Sequence, residues 1–143
     1  MKVFVDADAC PVKEDIVDIA QQHKIPVTFI VSTAGYFERG WKVETILVDS
    51  LPQAVDIAII NRMEADDIVV TQDYGLALLV LGKRGKAISP RGYIFTDENI
   101  DGCLLRRQMN SEARKAGIRR KGPKKRSEND RNRFCGSFHN LLG

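Results

Sequence analysis

The chain has 143 residues, 43% hydrophobic and 29% charged, the composition of one globular domain with enough apolar material for a core. No uncharged stretch approaches the ~20 apolar residues that span a bilayer, and the N-terminus turns acidic at Asp6, before the apolar run of about 7–15 residues that a secretion signal needs, so no membrane partner is expected. The net charge of +3 hides an asymmetry: residues 104–133 carry twelve Lys or Arg against three acids, a segment at +9 on a remainder at −6.

Lys2-Val3-Phe4-Val5-Asp6 is a short β-rich run, and Pro11 suits the first turn of a helix, where its missing N–H costs little. Val12, Ile16, Ile19 and Ala20 recur at helical spacing and predict a helix to about residue 23. Residues 26–31 read as a second strand. Residues 32–42 read as a loop with Gly35, Gly40, Tyr36, Phe37 and Trp41, and residues 45–48 as a third strand. Pro52 opens a helix with Val55, Ala58, Ile59 and Met63 on one face, and residues 67–71 form a fourth strand. Asp73 is placed to cap a helix through about Leu81, apolar on nearly every side and therefore expected to be well buried. Residues 86–89 read as a fifth strand, Ser89-Pro90-Arg91-Gly92 as a turn, and Asp97 as the start of a helix through about Lys115. Gly117, Gly122 and Pro123 then break the chain. Residues 130–142 form a last short helix with Phe134, Phe138, Leu141 and Leu142 turned inward. Strands alternating with helices imply an α/β fold with a mostly parallel sheet, whose ligand site lies outside the carboxyl ends of the strands.

Acids stand at two of those ends. Asp6 and Asp8 follow the first strand, and two residues apart on extended chain they share a face about 6.5–7 Å from one another. Asp73 follows the fourth strand and meets Asp6 if the two strands are neighbours in the sheet. Asp56 interrupts the apolar run Ala54-Val55-Asp56-Ile57-Ala58-Ile59-Ile60 on the helix entering the fourth strand. Asp66 and Asp67 precede that strand and belong at the opposite edge. Clustered carboxylates repel unless a cation neutralises them, and an all-oxygen set suits Mg²⁺ or Mn²⁺. Each acid also has a local reading: a cap for Asp73, a turn for Asp8, a solvated helix position for Asp56.

Asp6-Ala7-Asp8-Ala9-Cys10-Pro11-Val12, Val70-Thr71-Gln72-Asp73-Tyr74-Gly75-Leu76-Ala77 and Gly122-Pro123 with Asp130-Arg131-Asn132-Arg133-Phe134 resemble the YaiI/YqxD family of small bacterial proteins with a PIN-like domain. The resemblance runs over nearly the whole chain. More distantly the pattern is similar to PIN-domain nucleases, whose acid after the first strand, acid in a later helix and Val-Thr-x-Asp element fall here on Asp6, Asp56 and Asp73. The resemblance implies a three-layer α/β/α fold of Rossmann-like topology, a Mg²⁺ or Mn²⁺ site and phosphodiester cleavage. The middle-helix glutamate of those nucleases has no placed counterpart: Glu38, Glu44 and Asp49 are in range, and Asp8 is the substitute.

These readings give a PIN-like domain over residues 1–118 and a basic extension over 119–143 packed on it. Asp6, Asp8, Asp56 and Asp73 are the catalytic candidates, and Asp6, Asp8 and Asp73 the metal ligands. Arg119, Arg120, Lys121, Lys124, Lys125 and Arg126 are the expected contacts to a nucleic-acid backbone, RNA or single-stranded, unless the run serves only solubility. Tyr74, beside Asp73, is placed for base stacking. Competing readings are a haloacid-dehalogenase-like phosphatase with Asp6 as nucleophile, and a non-catalytic nucleic-acid-binding protein. Cys10 reads as a packing or pocket-lining residue, and His23 and His139 as surface residues. With Cys10, Cys103 and Cys135 in no zinc or disulfide spacing, a cytoplasmic chain with reduced thiols is expected.

Overall fold

A computed structural model describes residues 1–8, 10–32, 43–51, 53–117 and 127–143. Its strands are β1 (Val3–Asp6), β2 (Val27–Ser32), β3 (Glu44–Val48), β4 (Ile68–Val70), β5 (Lys86–Ile88) and β6 (Ile94–Phe95). Its helices are α1 (Lys13–Gln22), α2 (Ala54–Arg62), α3 (Tyr74–Gly82), α4 (Ile100–Lys115) and α5 (Glu128–Leu142). The strands form one sheet in the order β3-β2-β1-β4-β5-β6, parallel throughout except for β6.

Helices cover both faces, so the strands read as apolar runs rather than as alternating ones. Val3 and Val5 of β1 turn to one face, where α1 packs Ile16 and Ile19 and α5 packs Phe134 and Phe138. Phe4 turns to the other, against Ala58 and Ile59 of α2, Leu76 and Val80 of α3, and Ile100 of α4. The result is the expected three-layer α/β/α fold. Helix α5 belongs to its core: Phe134 and Phe138 are fully buried, with ring centroids 5.2 Å apart. Arg131 of α5 donates two hydrogen bonds of 3.0 Å to Asp15 of α1.

The chain starts at the centre of the sheet, moves outward through β2 and β3, and returns by α2 to place β4 on the other side of β1. The strand order reverses there, and the crevice at a reversal is where open α/β sheets bind ligands. Its lip carries the residues after β1 and after β4.

Five local readings need correction. Strand β6 was not anticipated. It pairs antiparallel with β5 across the predicted 89–92 turn, where Gly92 at φ +88° lets its N–H bond Ser89 O at 2.9 Å. Helix α4 runs from Ile100, three residues late, and residues 97–99 form a turn leading into it, opened by the side-chain-to-backbone bonds that Thr96 and Asn99 exchange. Helix α5 begins at Glu128, two residues early, behind a Ser127–Asp130 capping box. Helix α3 is not buried all round: Leu78 and Leu79 are 42% and 52% exposed, because the sheet and α4 cover only part of its circumference. His23 and His139 are half-buried partners, Nε2 to Nδ1 at 3.0 Å, where the end of α1 meets α5. Tyr36, Phe37, Trp41, Pro52 and residues 119–126 lie outside the described residues. Among the described residues no helix is long and apolar enough to cross a membrane.

Candidate functional site

Strand β1 ends at Asp6, and Ala7 continues its ladder by donating to Ile30 O at 3.0 Å. Asp8 then turns back, and its Oδ1 accepts the Ser32 N–H at 2.8 Å, tying the end of β1 to the end of β2. On the other side of β1, Thr71 leaves β4 fully buried. Its hydroxyl donates to Asp6 Oδ2 at 3.0 Å and accepts the Asp73 N–H at 3.0 Å. One side chain therefore sets the spacing between the two strand ends. Asp73 caps α3, its Oδ1 accepting from the N–H groups of Gly75 (2.8 Å) and Leu76 (3.3 Å).

Asp6, Asp8, Asp56 and Asp73 all line one cavity of about 370 Å³ above the crevice. Asp56 arrives from the first turn of α2, and Gln53, Ala54 and Val55 bring the N-terminus of that helix to the same wall. A helix N-terminus carries partial positive charge, which offsets part of the charge of the acids beside it, although the Ala54 N–H is itself taken by Leu51 O at 3.1 Å. Burial pushes the Asp6 carboxyl above its usual range. The Thr71 hydroxyl pulls the other way, and the charges of Asp8 and Asp73 raise it further. The carboxylates are thus close enough to feel one another.

Asp66 and Asp67 stay at the opposite edge as expected. Asp67 is buried there and accepts from the Lys2 and Glu64 N–H groups. Glu44 is excluded as the missing glutamate, since it starts β3 at that same far edge and accepts from the Thr28 hydroxyl. Asp49 does not line the cavity, and Glu38 lies outside the described residues. Cys10 is buried in the core on the α1 face and does not line the cavity either. The reading of the chain missed the clamp made by Thr71. The signal was the Thr71-x-Asp73 spacing directly after a strand.

The donor chemistry fits a hard divalent cation, since every candidate ligand is a carboxylate oxygen. Among the described residues, no three or more His, Cys, Asp or Glu side chains are grouped so as to hold an ion between them. Mg²⁺ does not require such a cage: it keeps several waters and takes one or two carboxylates plus substrate phosphates.

A family model described as "Uncharacterized BCR, YaiI/YqxD family" matches residues 4–143. A UPF0178 protein of Exiguobacterium sibiricum is 45% identical over 142 residues, covering 99% of this chain and 96% of its own. A UPF0178 protein of Alkaliphilus metalliredigens is 44% identical over 142 residues, covering 99% and 92%. Among solved structures, Rae1 (YacP) from Bacillus subtilis aligns over 85% of this chain and 86% of its own, at 14% identity and a TM-score of 0.47.

Proposed function

We propose that this chain, which belongs to the YaiI/YqxD family, is a divalent-metal-dependent nuclease acting on RNA or another single strand. The observation that carries the reading is the meeting of Asp6, Asp8, Asp56 and Asp73 on one cavity at the point where the strand order reverses. Asp6 is the central ligand in this reading, with Asp8 and Asp73 flanking it. A bound Mg²⁺ or Mn²⁺ supplies charge neutralisation and water activation for phosphodiester hydrolysis. Asp56 faces the same space from α2 and is the candidate to orient the attacking water. Thr71 is a positioning residue, since its hydroxyl joins Asp6 to the Asp73 backbone. The partial positive charge at the α2 N-terminus favours a phosphate oxygen there. The basic run Arg119, Arg120, Lys121, Lys124, Lys125 and Arg126 adds backbone contacts along the strand in this reading.

Cleavage of a single-stranded RNA in Mn²⁺ or Mg²⁺ tests it. The parent is expected to cut only with the metal present. Asp6→Asn is expected to lose at least about a hundredfold in rate, on the scale of removing one electrostatic stabiliser, while its circular dichroism is unchanged. Equal cleavage by the Asn variant would remove Asp6 from the chemistry.

A further inference from the structure

A second and larger cavity, about 730 Å³, opens beside the acidic one. The two share a wall in sequence: Asp73 lines the first, and Gln72 and Tyr74 line the second. Their linings are opposite in character. None of the described residues lining the larger cavity is acidic, and three are arginines supplied by different elements: Arg91 from the β5–β6 turn, Arg106 from α4 and Arg133 from α5. Asp130 offsets part of this charge, lying 3.8 Å from Arg133.

Three further lining residues are aromatic: Tyr74, Tyr93 and Phe95. Phe95 is buried, and Tyr74 and Tyr93 both pack edge-on against it, at centroid distances of 5.7 and 5.4 Å and interplanar angles of 68° and 76°. Rings held this way lose little freedom when a ligand lands on them. Tyr93 remains 42% exposed, and Tyr74 is half-buried on the side nearer the acids. The backbone that carries two of the arginines is closely packed as well. A Cβ on Gly92 would come within 2.7 Å of the Arg133 carbonyl carbon and the Phe134 nitrogen, so the turn bearing Arg91 rests directly on α5 beside Arg133.

Guanidinium groups bind phosphate oxygens through paired N–H donors, and aromatic rings stack on bases of any sequence. We propose that this cavity is a nucleotide-binding subsite, taking one base-plus-phosphate unit, with the base against Tyr93 and Tyr74 and the phosphate on Arg91, Arg106 and Arg133. Its volume falls in the range of small-ligand sites. The proposal deepens the nuclease reading and rests on it for the consequence that a strand held here presents its next phosphate to the acidic cavity. Binding itself requires no cleavage.

The test titrates the full chain, without divalent metal, with adenosine 5′-monophosphate, adenosine and inorganic phosphate by calorimetry. The nucleotide is expected to bind at least about tenfold more tightly than either fragment. Arg106→Ala and Tyr93→Leu are each expected to weaken it about tenfold. Asp6→Asn is expected to leave it within about twofold. A single-stranded RNA trimer binding tenfold more tightly than the mononucleotide identifies a strand as the ligand, and equal binding identifies the mononucleotide itself. Phosphate binding as tightly as the nucleotide, or nucleotide affinity unchanged in both the Arg106 and Tyr93 variants, overturns the subsite. The two readings fail separately. Cleavage lost in Asp6→Asn with nucleotide binding independent of both Arg106 and Tyr93 leaves a nuclease without this subsite. Absent cleavage with Arg106- and Tyr93-dependent binding leaves the subsite without a nuclease.

Discussion

Asp6 carries a conflict that a metal would resolve. Burial and the neighbouring Asp8 and Asp73 charges favour its protonated form, and the Thr71 hydroxyl only partly compensates. An acid whose folded pKa lies above its unfolded one burdens the fold when ionised. That burden is full above the raised pKa, shrinks as pH falls through it and the parent takes up the proton, and is gone below the ordinary carboxylate range. Asp6→Asn keeps an oxygen for the Thr71 hydroxyl and removes the charge. It is therefore expected to raise Tm near neutral pH by about 2–4 °C, with the gain vanishing in acid. Added Mn²⁺ should raise the parent's Tm, because a ligand that binds only the folded state stabilises it, and should leave the Asn variant unmoved. Thermal melts at pH 7 and pH 4, with and without Mn²⁺, check both signs. A gain that persists in acid would show that the Asp6 charge is not its source. That Asp6, Asp8 and Asp73 share one edge of the sheet was legible in the sequence, because each lies at, or within three residues of, the end of an apolar strand. The role of Thr71 was not, because a hydroxyl that spans two strand ends declares itself only once β1 and β4 are neighbours.

Helix α3 depends on a residue that the site also claims. Asp73 satisfies two N–H groups of its first turn and lines the acidic cavity at the same time. The two duties separate by substitution. Asp73→Ala loses the cap and should cost about 1 kcal/mol by denaturant unfolding. Asp73→Asn keeps a capping oxygen and should stay within a few tenths, yet it should lose metal-dependent cleavage as Asp73→Ala does. Equal stability in the Ala and Asn variants would mean that the cap contributes nothing. Elements with a clear period were legible: α1 through Val12, Ile16 and Ile19, and α5 through Phe134 and Phe138. Strand β6 was not, because two residues have no period. Helix α3 was misjudged because an apolar surface on every side does not say which part the sheet will cover. The arginine cavity was invisible for a related reason. Arg91, Arg106 and Arg133 are unremarkable in sequence, and the turn bearing Arg91 lies beside Arg133 because Gly92 lets it rest on α5.

On the scale of the whole molecule, charge is segregated along the chain, with +9 over residues 104–133 against −6 elsewhere. The twelve cations in that segment are not equivalent. Arg131 is committed to Asp15 through two hydrogen bonds of 3.0 Å that fasten α5 to α1. Arg106 and Arg133 belong to the aromatic cavity. Arg119, Arg120, Lys121, Lys124, Lys125 and Arg126 surround Gly122 and Pro123 in the segment between α4 and α5, and nothing there resembles a base-reading motif. Contacts from such a run go to phosphates, and each releases condensed counterions, contributing about −0.7 to the log–log salt slope on a single strand. Alanine at Arg119, Arg120, Lys124 and Lys125 together should therefore flatten that slope by about 2–3 and weaken binding by a similar factor for every sequence tested. Arg131→Ala should lower Tm and leave the slope where it was, since its guanidinium holds the fold. Salt titrations of RNA binding on the two variants check this. If the quadruple variant keeps the parental slope, the run only aids solubility, and the attraction for a polyanion must come from the arginine cavity and the N-terminus of α2, both of which lie beside the aspartates.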